Sequence, residues 1–498
     1  MEYTSTNIAI IGGGIAGSWV GYRLAQRGIK TVIIQSNSDP DTPRVSERAA
    51  VVINSRLLDG VINSRLPGGG ADLSSLLADE TGTQDPELQP MIQSYLGQEF
   101  DELSRLVEFM PLGPFVIPKS SIPFPRLGVG GEVVSLILER FVELGGSVVD
   151  GRVTHLAVTD GNCNGLQYER DGAPHKLRCN ALIIAAGGFS GLLPDAATTN
   201  AGALLGMFAE CGGMLSNLEF FYRFAFGDIS NGRVLYPPDL EGARIYHAGS
   251  RALWLERAYA AYPEETRDLE IFQRYWTHNI DVPHVLERAN TSFSLGPICG
   301  FSMGGIAHNR SATNLVNVYV TGEARHDLVA NYTVGRPWAC YLATAGMLLD
   351  VLSEHSGGNS VVDFPMMPVP ARLQASLLTE IRQRLMGFRD HRFSESGAEE
   401  FVEWCRTTRQ RLPLERRSCF QILILAEAHA LSALARPESR GYFFRADFPI
   451  ADPAMAQRTT MAFYDADDDR VVVDLLTQQA LSDRITPASL LHPSTVNF

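Results

Sequence analysis

The apolar residues of this chain come in two rhythms. Short unbroken runs occur at Ile8-Ala9-Ile10-Ile11, Thr31-Val32-Ile33-Ile34, Ala181 to Ala186 and Val316 to Val320. Runs of that length without alternation predict strands buried on both faces, as in a parallel sheet. Longer stretches repeat their apolar residues every three or four positions. Ser18 to Arg27 does so with Val20 and Leu24, and Gly28 terminates it. The same spacing recurs from Pro337 through "PWACYLATAGMLLDVL", and in Leu373–Met386, Ala398–Arg411 and Ser418–Leu434. These predict helices. Gly145 to Val158, "GGSVVDGRVTHLAV", predicts two adjacent strands, and Arg470 to Leu476 a strand or a helix end. Strand, helix and strand in alternation give an α/β class, followed by a helical region.

The turn between the first strand and the first helix carries the chemistry. Gly12-Gly13-Gly14-Ile15-Ala16-Gly17 fits G-x-G-x-x-G inside a β-α-β unit of about thirty residues. Gly12 allows the tight turn, Gly14 lets a pyrophosphate approach the backbone, and Gly17 permits close packing of helix on strand. The backbone of Ile15 and Ala16 begins the helix, whose free N–H groups and partial positive charge face the phosphates. The second strand ends in Gln35 rather than an acidic residue, so any grip on the ribose there is uncharged. Two later strands also run into glycine: Ala186-Gly187-Gly188, and Thr321-Gly322-Glu323. Such distant returns to a first-strand nucleotide site suit FAD rather than a simple NAD-binding half.

Composition narrows the partners. The 498 residues carry a net charge of −14 without charge blocks, which disfavours nucleic acid and anionic lipid as ligands. Seven cysteines lie dispersed without a C-x-x-C pair, so neither a disulfide framework nor a metal site is expected. The first strand begins within eight residues of Met1. No apolar run is read as approaching the ~20 residues of a membrane span. The expectation is a cytoplasmic protein with no membrane segment.

Five stretches, "IIGGGIAGSWVGYRLAQRG", "ALIIAAGGFSGL", "AECGGMLSNLEFFYRF", "MGGIAHNRSATNLVNVYVTGEA" and "ARPESRGYFFRADFP", extend from about residue 7 to 449. In them the chain resembles the flavoprotein family of L-aspartate oxidase and of the succinate dehydrogenase and fumarate reductase flavoprotein subunits. The resemblance implies an FAD-binding Rossmann-like domain with an inserted α+β capping domain and a C-terminal helical region. It places the FAD domain at 1–205 and 309–360, the cap at 206–308, the helical domain at 365–445 and a tail at 446–498.

The resemblance also implies roles. The helix starting at Pro337 would point its amino end at the flavin, with Arg336 adding charge. Glu323 would hydrogen-bond the flavin's sugar-like chain, and the backbone of Val153 would serve the adenine end. Ser46 is followed by Glu47 where tethered members carry histidine, so FAD is expected to be noncovalent. The family's dicarboxylate clamp is largely missing. Its His-Pro-Thr-Gly falls on Phe224-Ala225-Phe226-Gly227, one histidine on Gly300 and the clamp arginine on Tyr332; the other histidine falls near Leu328, with His326 close but out of register. Arg267-Asp268 retains the cap's Arg-Asp pair, and Arg267 would handle a proton.

Losing charged partners for two carboxylates costs roughly 1.5–3 kcal/mol for each missing bond. The expected substrate is therefore a small molecule other than a simple dicarboxylate. It would lie against an aromatic segment, Phe220 to Phe226, with Tyr222 and Arg223 as polar contacts and Phe224 and Phe226 as walls. Arg267, His326, Tyr332 and Arg336 are the candidates for catalysis. Three functions remain open at this point. One is an oxidoreductase removing hydride from a C–H beside an amine or a second C–H. Another is a flavin monooxygenase of secondary metabolism or protein modification. The third is a non-catalytic flavin-binding assembly subunit. An electron-donor or acceptor protein is a possible partner.

Overall fold

The computed structural model describes residues 5–36, 53–54, 88–112, 115–119, 129–262, 267–289, 291–327, 336–354, 362–388 and 392–485. Chain order begins with β1 (Ser5–Ile11), α1 (Ile15–Gln26), β2 (Thr31–Gln35), β3 (Ile53–Asn54), α2 (Leu88–Leu106), β4 (Phe109–Leu112), β5 (Phe115–Pro118) and α3 (Val129–Glu143). Then come β6 (Ser147–Asp150), β7 (Arg152–Thr159), β8 (Asn162–Arg170), β9 (Ala173–Ile184) and α4 (Ala203–Glu210). The middle of the chain holds β10 (Leu215–Ser216), β11 (Phe221–Asp228), β12 (Arg233–Val234), β13 (Arg244–His247), β14 (Ser250–Arg251), α5 (Leu253–Ala261) and α6 (Arg267–Ile271). It continues with β15 (His284–Arg288), β16 (Thr291–Ser302), β17 (Gly305–Ile306), β18 (Val318–Val320) and α7 (Arg336–Glu354). The last part holds α8 (Ala375–Met386), α9 (Glu395–Gln410), α10 (Arg417–Ala435), β19 (Arg458–Asp465), β20 (Arg470–Thr477) and α11 (Gln478–Ile485).

The unbroken apolar runs form the parallel sheet that their lack of alternation predicts. Strands β6, β2, β1, β9 and β18 lie side by side, all parallel, with β1 between β2 and β9. The amino-terminal half of β9 turns away from β18 and joins β7 and β8 in an antiparallel meander. Helix α1 is buried along nearly its whole length, which suits a helix wedged between the sheet and α3 and α7. Its Trp19 Nε1 and Arg23 both donate to Glu99 of α2, at 2.8 and 2.9 Å, so a buried charge pair ties two helices together.

The cap is a six-stranded sheet in the order β12-β11-β16-β15-β13-β14, antiparallel where its strands pair. A π-helical turn, Phe272–Trp276, follows α6 and is anchored by Trp276 Nε1 donating to the carbonyl of Ala225 in β11 at 2.8 Å.

Two expectations are corrected. The segment after 446 is no polar tail: β19 and β20 pair fully along eight residues. They complete a four-stranded sheet with β10 and β17, the short strands flanking the cap. Leu414–Ala435 is also long and apolar enough, by length and composition, to cross a membrane, contrary to the reading that no apolar run approaches that length. Most of its apolar window is buried within the protein, where α10 packs against α4, α9 and β20.

Buried arginine networks hold the carboxy-terminal region. Arg436 is fully buried, with Glu219 at 2.7 Å and Glu438 at 3.0 Å. Arg440 closes on Glu438, and Thr460 donates to Glu219 at 2.8 Å. Arg409, equally buried, bridges Glu427 and Asp469.

Candidate functional site

The three glycine turns meet at the carboxyl edge of the parallel sheet. The ladder runs past the strand ends: Gly12 N donates to Ile34 O at 2.8 Å, Ala185 N to Ile11 O at 2.8 Å, and Thr321 N to Ile184 O at 3.0 Å. Gly12 has φ +107°, and a Cβ there would lie 2.3 Å from the carbonyl oxygen of Ala185. A Cβ on Gly17 would lie 1.9 Å from Gly12 O. Close approach of helix to turn is thus the reason for glycine at both positions. Gly322 has φ +70° and faces the Ala16 methyl, so the third turn closes directly over the first helix.

This edge also holds buried polar atoms without partners among the described residues: Gln35 Oε1, Ser190 Oγ and Thr321 Oγ1. Buried polar groups are rarely left unpaired, and each such atom asks for a partner. Gln35 reaches back over Gly13, where an added Cβ would meet its Oε1 at 1.9 Å. An open helix amino end capped by Gly14, with no acidic residue in its first turn, lies beside these acceptors and hydroxyls. The residues therefore fit a dinucleotide: N–H groups of the Gly14–Gly17 turn for the phosphates, and Gln35 for a ribose.

Glu323 is buried beside Ser302. Its Oε1 accepts from Ser302 N at 3.1 Å and from Ser302 Oγ at 3.3 Å. Ser302 Oγ in turn accepts from Phe189 N at 3.1 Å. Burial pushes the Glu323 carboxyl up to about 7, against the lowering effect of Ser302 and of the Gly188 N–H. The carboxylate thus joins the ends of β9, β16 and β18 at the point where Gly188 leaves no room for a side chain.

Other expected cofactor positions are less telling. Val153 is half-buried and pairs with Tyr168 in the β7–β8 ladder. Ala186 O accepts from Asn200 Nδ2 at 3.0 Å, and Gly187 has φ +77°. Pro337 is the second residue of α7 and is buried; Arg336 is the first. Ser46 and Tyr332 lie outside the described residues.

On the cap, β11 presents the aromatic segment. It pairs with β16 through Arg223↔Cys299 and Phe224↔Ile298, with register shifts on either side. The ring of Phe224 lies over Gly300, whose added Cβ would meet Phe224 Cε2 at 2.5 Å. The bulky ring and the missing side chain are complementary. Tyr222 packs edge-on against Phe224 at 4.9 Å between centroids and against Tyr442 at 4.9 Å, and its hydroxyl donates to Asp268 Oδ2 at 2.6 Å. Asp268 also accepts from Ala225 N at 2.8 Å, and burial raises its pKa.

Some expected roles do not match the contacts made. Arg223 is buried and paired with Asp195 at 2.5 Å, over the ring of Phe272, so its charge is already met by a carboxylate. Phe226 is buried against Tyr259 at 5.3 Å and acts as core. His326 is buried against His308 at 4.5 Å; burial and its neighbour push it down to about 3, so it stays neutral at ordinary pH. Arg267 lies on the ring of Tyr259 at 4.4 Å and donates to Tyr262 O at 3.3 Å, with Nε buried and unpartnered. Sequence reasoning gave no role to Asp195, Phe301 or Tyr442, although Tyr442 lies in one of the stretches that carry the resemblance; the pairing of β11 with β16 and the return of the chain at 442 bring them in.

Two family models match the chain: "FAD dependent oxidoreductase" over residues 7–118 and "Fumarate reductase flavoprotein C-term" over residues 414–489. The whole fold also matches solved flavoproteins. The Escherichia coli quinol fumarate reductase subunit FrdA superposes with a TM-score of 0.73 at 14% identity, covering 99% of this chain and 100% of that one. Sdh1 of Mycobacterium smegmatis gives 0.69 at 16%, covering 99% and 100%. Adenylylsulfate reductase from Archaeoglobus fulgidus gives 0.67 at 13%, covering 96% of each. The chain resembles the succinate dehydrogenase and fumarate reductase flavoproteins. The match to the FAD-dependent oxidoreductase model over residues 7–118 supports an oxidoreductase, with FAD as the cofactor that the glycine turns fit.

Proposed function

We propose that this protein oxidises a small organic substrate by hydride removal, and that the substrate is not a simple dicarboxylate. When bound, FAD supplies the hydride acceptor. The chain's own residues hold it and shape the substrate side. The Gly12–Gly17 turn and α1 take the phosphates, Gln35 the ribose, and the turns at Gly187-Gly188 and Gly322-Glu323 close over the remainder. The observation that carries the substrate reading is Phe224 filling the space above Gly300. The ring occupies the position where a histidine of the resembled family would stand, and the nearby Arg223 is paired with Asp195. A carboxylate brought to that surface would lose its hydration without a charged partner, a cost of several kcal/mol, on the order of the desolvation of one ion. Arg267, the first residue of α6, is the proton carrier in this reading. An electron donor or acceptor protein completes the cycle, in keeping with the complexes named for the structural neighbours.

Absorbance spectra before and after acid precipitation test the cofactor. Released flavin bands support noncovalent FAD, and bands in the pellet overturn that point. Anaerobic mixing with succinate, L-aspartate and a panel of amines then tests the substrate. Rapid bleaching of the flavin by either dicarboxylate would refute the reading.

A further inference from the structure

We propose that the substrate side of this site is built for a cation: an organic ammonium on an apolar or aromatic body, held against the rings of Phe224 and Phe301 with the Asp268 carboxylate behind them. The inference rests on the flavin reading above and names the substrate class for the same site.

Four aromatic rings cluster here. Phe224 and Phe301 stand 5.9 Å apart and are both only half-buried, so part of each ring reaches the surface. Tyr222 lies 4.9 Å from Phe224 and 5.9 Å from Phe301, and Tyr442 backs it. Aromatic faces attract ammonium groups through the ring quadrupole, most strongly once water is excluded. The hydroxyl of Tyr222 carries the cluster to Asp268, whose carboxylate makes two hydrogen bonds and no ion pair among the described residues.

The charge of Arg267 offsets that carboxylate in part, without an ion pair among the described residues. Arg267 precedes it in sequence but turns its guanidinium onto Tyr259 and donates to Tyr262 O. Arg223 is engaged with Asp195. A half-enclosed carboxylate flanked by rings is relieved by an arriving cation and opposed by an arriving anion. The raised pKa of Asp268 expresses that unrelieved burial.

Benzyltrimethylammonium, which serves as a binding probe only, is titrated into the purified protein, with phenylacetate and succinate as anionic controls. Flavin absorbance and the melting temperature are both read. The expected result is saturable binding of the ammonium, with both anions at least about 10-fold weaker. Phe301→Leu should weaken the ammonium about 2- to 30-fold, the range of one cation–π contact. Asp268→Asn should narrow the preference for ammonium over phenylacetate while leaving phenylacetate binding unchanged or tighter. Equal or tighter binding of either anion overturns the proposal, as does the absence of any ammonium effect on protein that shows flavin bands. A preparation without flavin bands, even with added FAD, defeats the underlying flavin reading instead; the melting-temperature titration still decides the cation site.

Discussion

Replacing Gly17 with alanine should abolish tight FAD binding without unfolding the chain. A Cβ at position 17 would sit 1.9 Å from the carbonyl oxygen of Gly12, a backbone atom within the same turn. Ordinary carbon–oxygen contact is roughly 3.2 Å, so helix and turn must separate by more than about 1 Å. The Ala185 methyl at 3.2 Å blocks escape to one side. The phosphate N–H groups belong to this turn, and each charge-assisted bond is worth roughly 1.5–3 kcal/mol. Losing two of them gives about 3–6 kcal/mol, or a fall of roughly 10²- to 10⁴-fold in FAD affinity. Gly28→Ala is the control: φ is +74°, nothing lies within 4 Å of the added Cβ, and only backbone strain of about 1 kcal/mol is expected. FAD titration of stripped protein by flavin fluorescence quenching measures affinity; far-UV circular dichroism and FAD-free melting separate it from stability. FAD affinity in Gly17→Ala within about three-fold of the parent would refute the argument, because a 1 Å displacement cannot leave those bonds intact.

Other expectations follow from buried charge. Burial pushes the Glu323 carboxyl up to about 7, above the ordinary glutamate value, so the folded state holds its proton more tightly than the unfolded chain does. Its stability contribution is then lost as pH rises through that window, by about 3 kcal/mol in all. In FAD-free protein, Glu323→Gln should melt progressively higher than the parent between pH 5 and 8; a flat difference would contradict the sign. Glu219→Ala removes one carboxylate from fully buried Arg436 and should lower stability by about 3–5 kcal/mol, read as a drop in the urea midpoint. A midpoint within error of the parent would show that Glu438 alone satisfies the guanidinium. Asp195→Asn removes the carboxylate charge that meets buried Arg223, and should lower the melting temperature and make succinate a better ligand than it is for the parent protein, by calorimetry. No gain for succinate would argue against charge neutralisation as the reason dicarboxylates are refused.

What sequence made legible follows from periodicity and short range. The strands β1, β2, β9 and β18 announce themselves because a strand covered on both faces has no polar positions. The glycine turns were legible because backbone conformation and close approach leave few other residues possible. β19 was not, although its partner β20 was glimpsed: it is rich in buried threonine, with Thr459 and Thr460 bonded to Asn217 and Glu219 more than 240 residues earlier. Polar residues satisfied by such distant partners look like surface in one dimension. The buried arginines Arg409 and Arg436, paired with Asp469 and Glu219, escaped for the same reason. The site divides likewise. Phe224 and Gly300 could each be singled out, but their complementarity depends on the register of β11 on β16. Arg223 read as a polar contact because Asp195, its partner, lies on a separate segment.

The hairpin of β19 and β20 pairs with the thread by which the chain enters the cap, at Leu215-Ser216, and that thread in turn pairs with the one that leaves it, at Gly305-Ile306. Synthesis supplies those threads long before it supplies their clasp. The cap strands emerge from the ribosome together, yet the sheet that seats them must wait for residues 458–477. A nascent chain arrested before 458 would carry a cap on two loose tethers. A protease cutting within β19 and β20 would loosen that seating at a place in the chain far from the glycine turns of residues 12–17, 186–188 and 322–323.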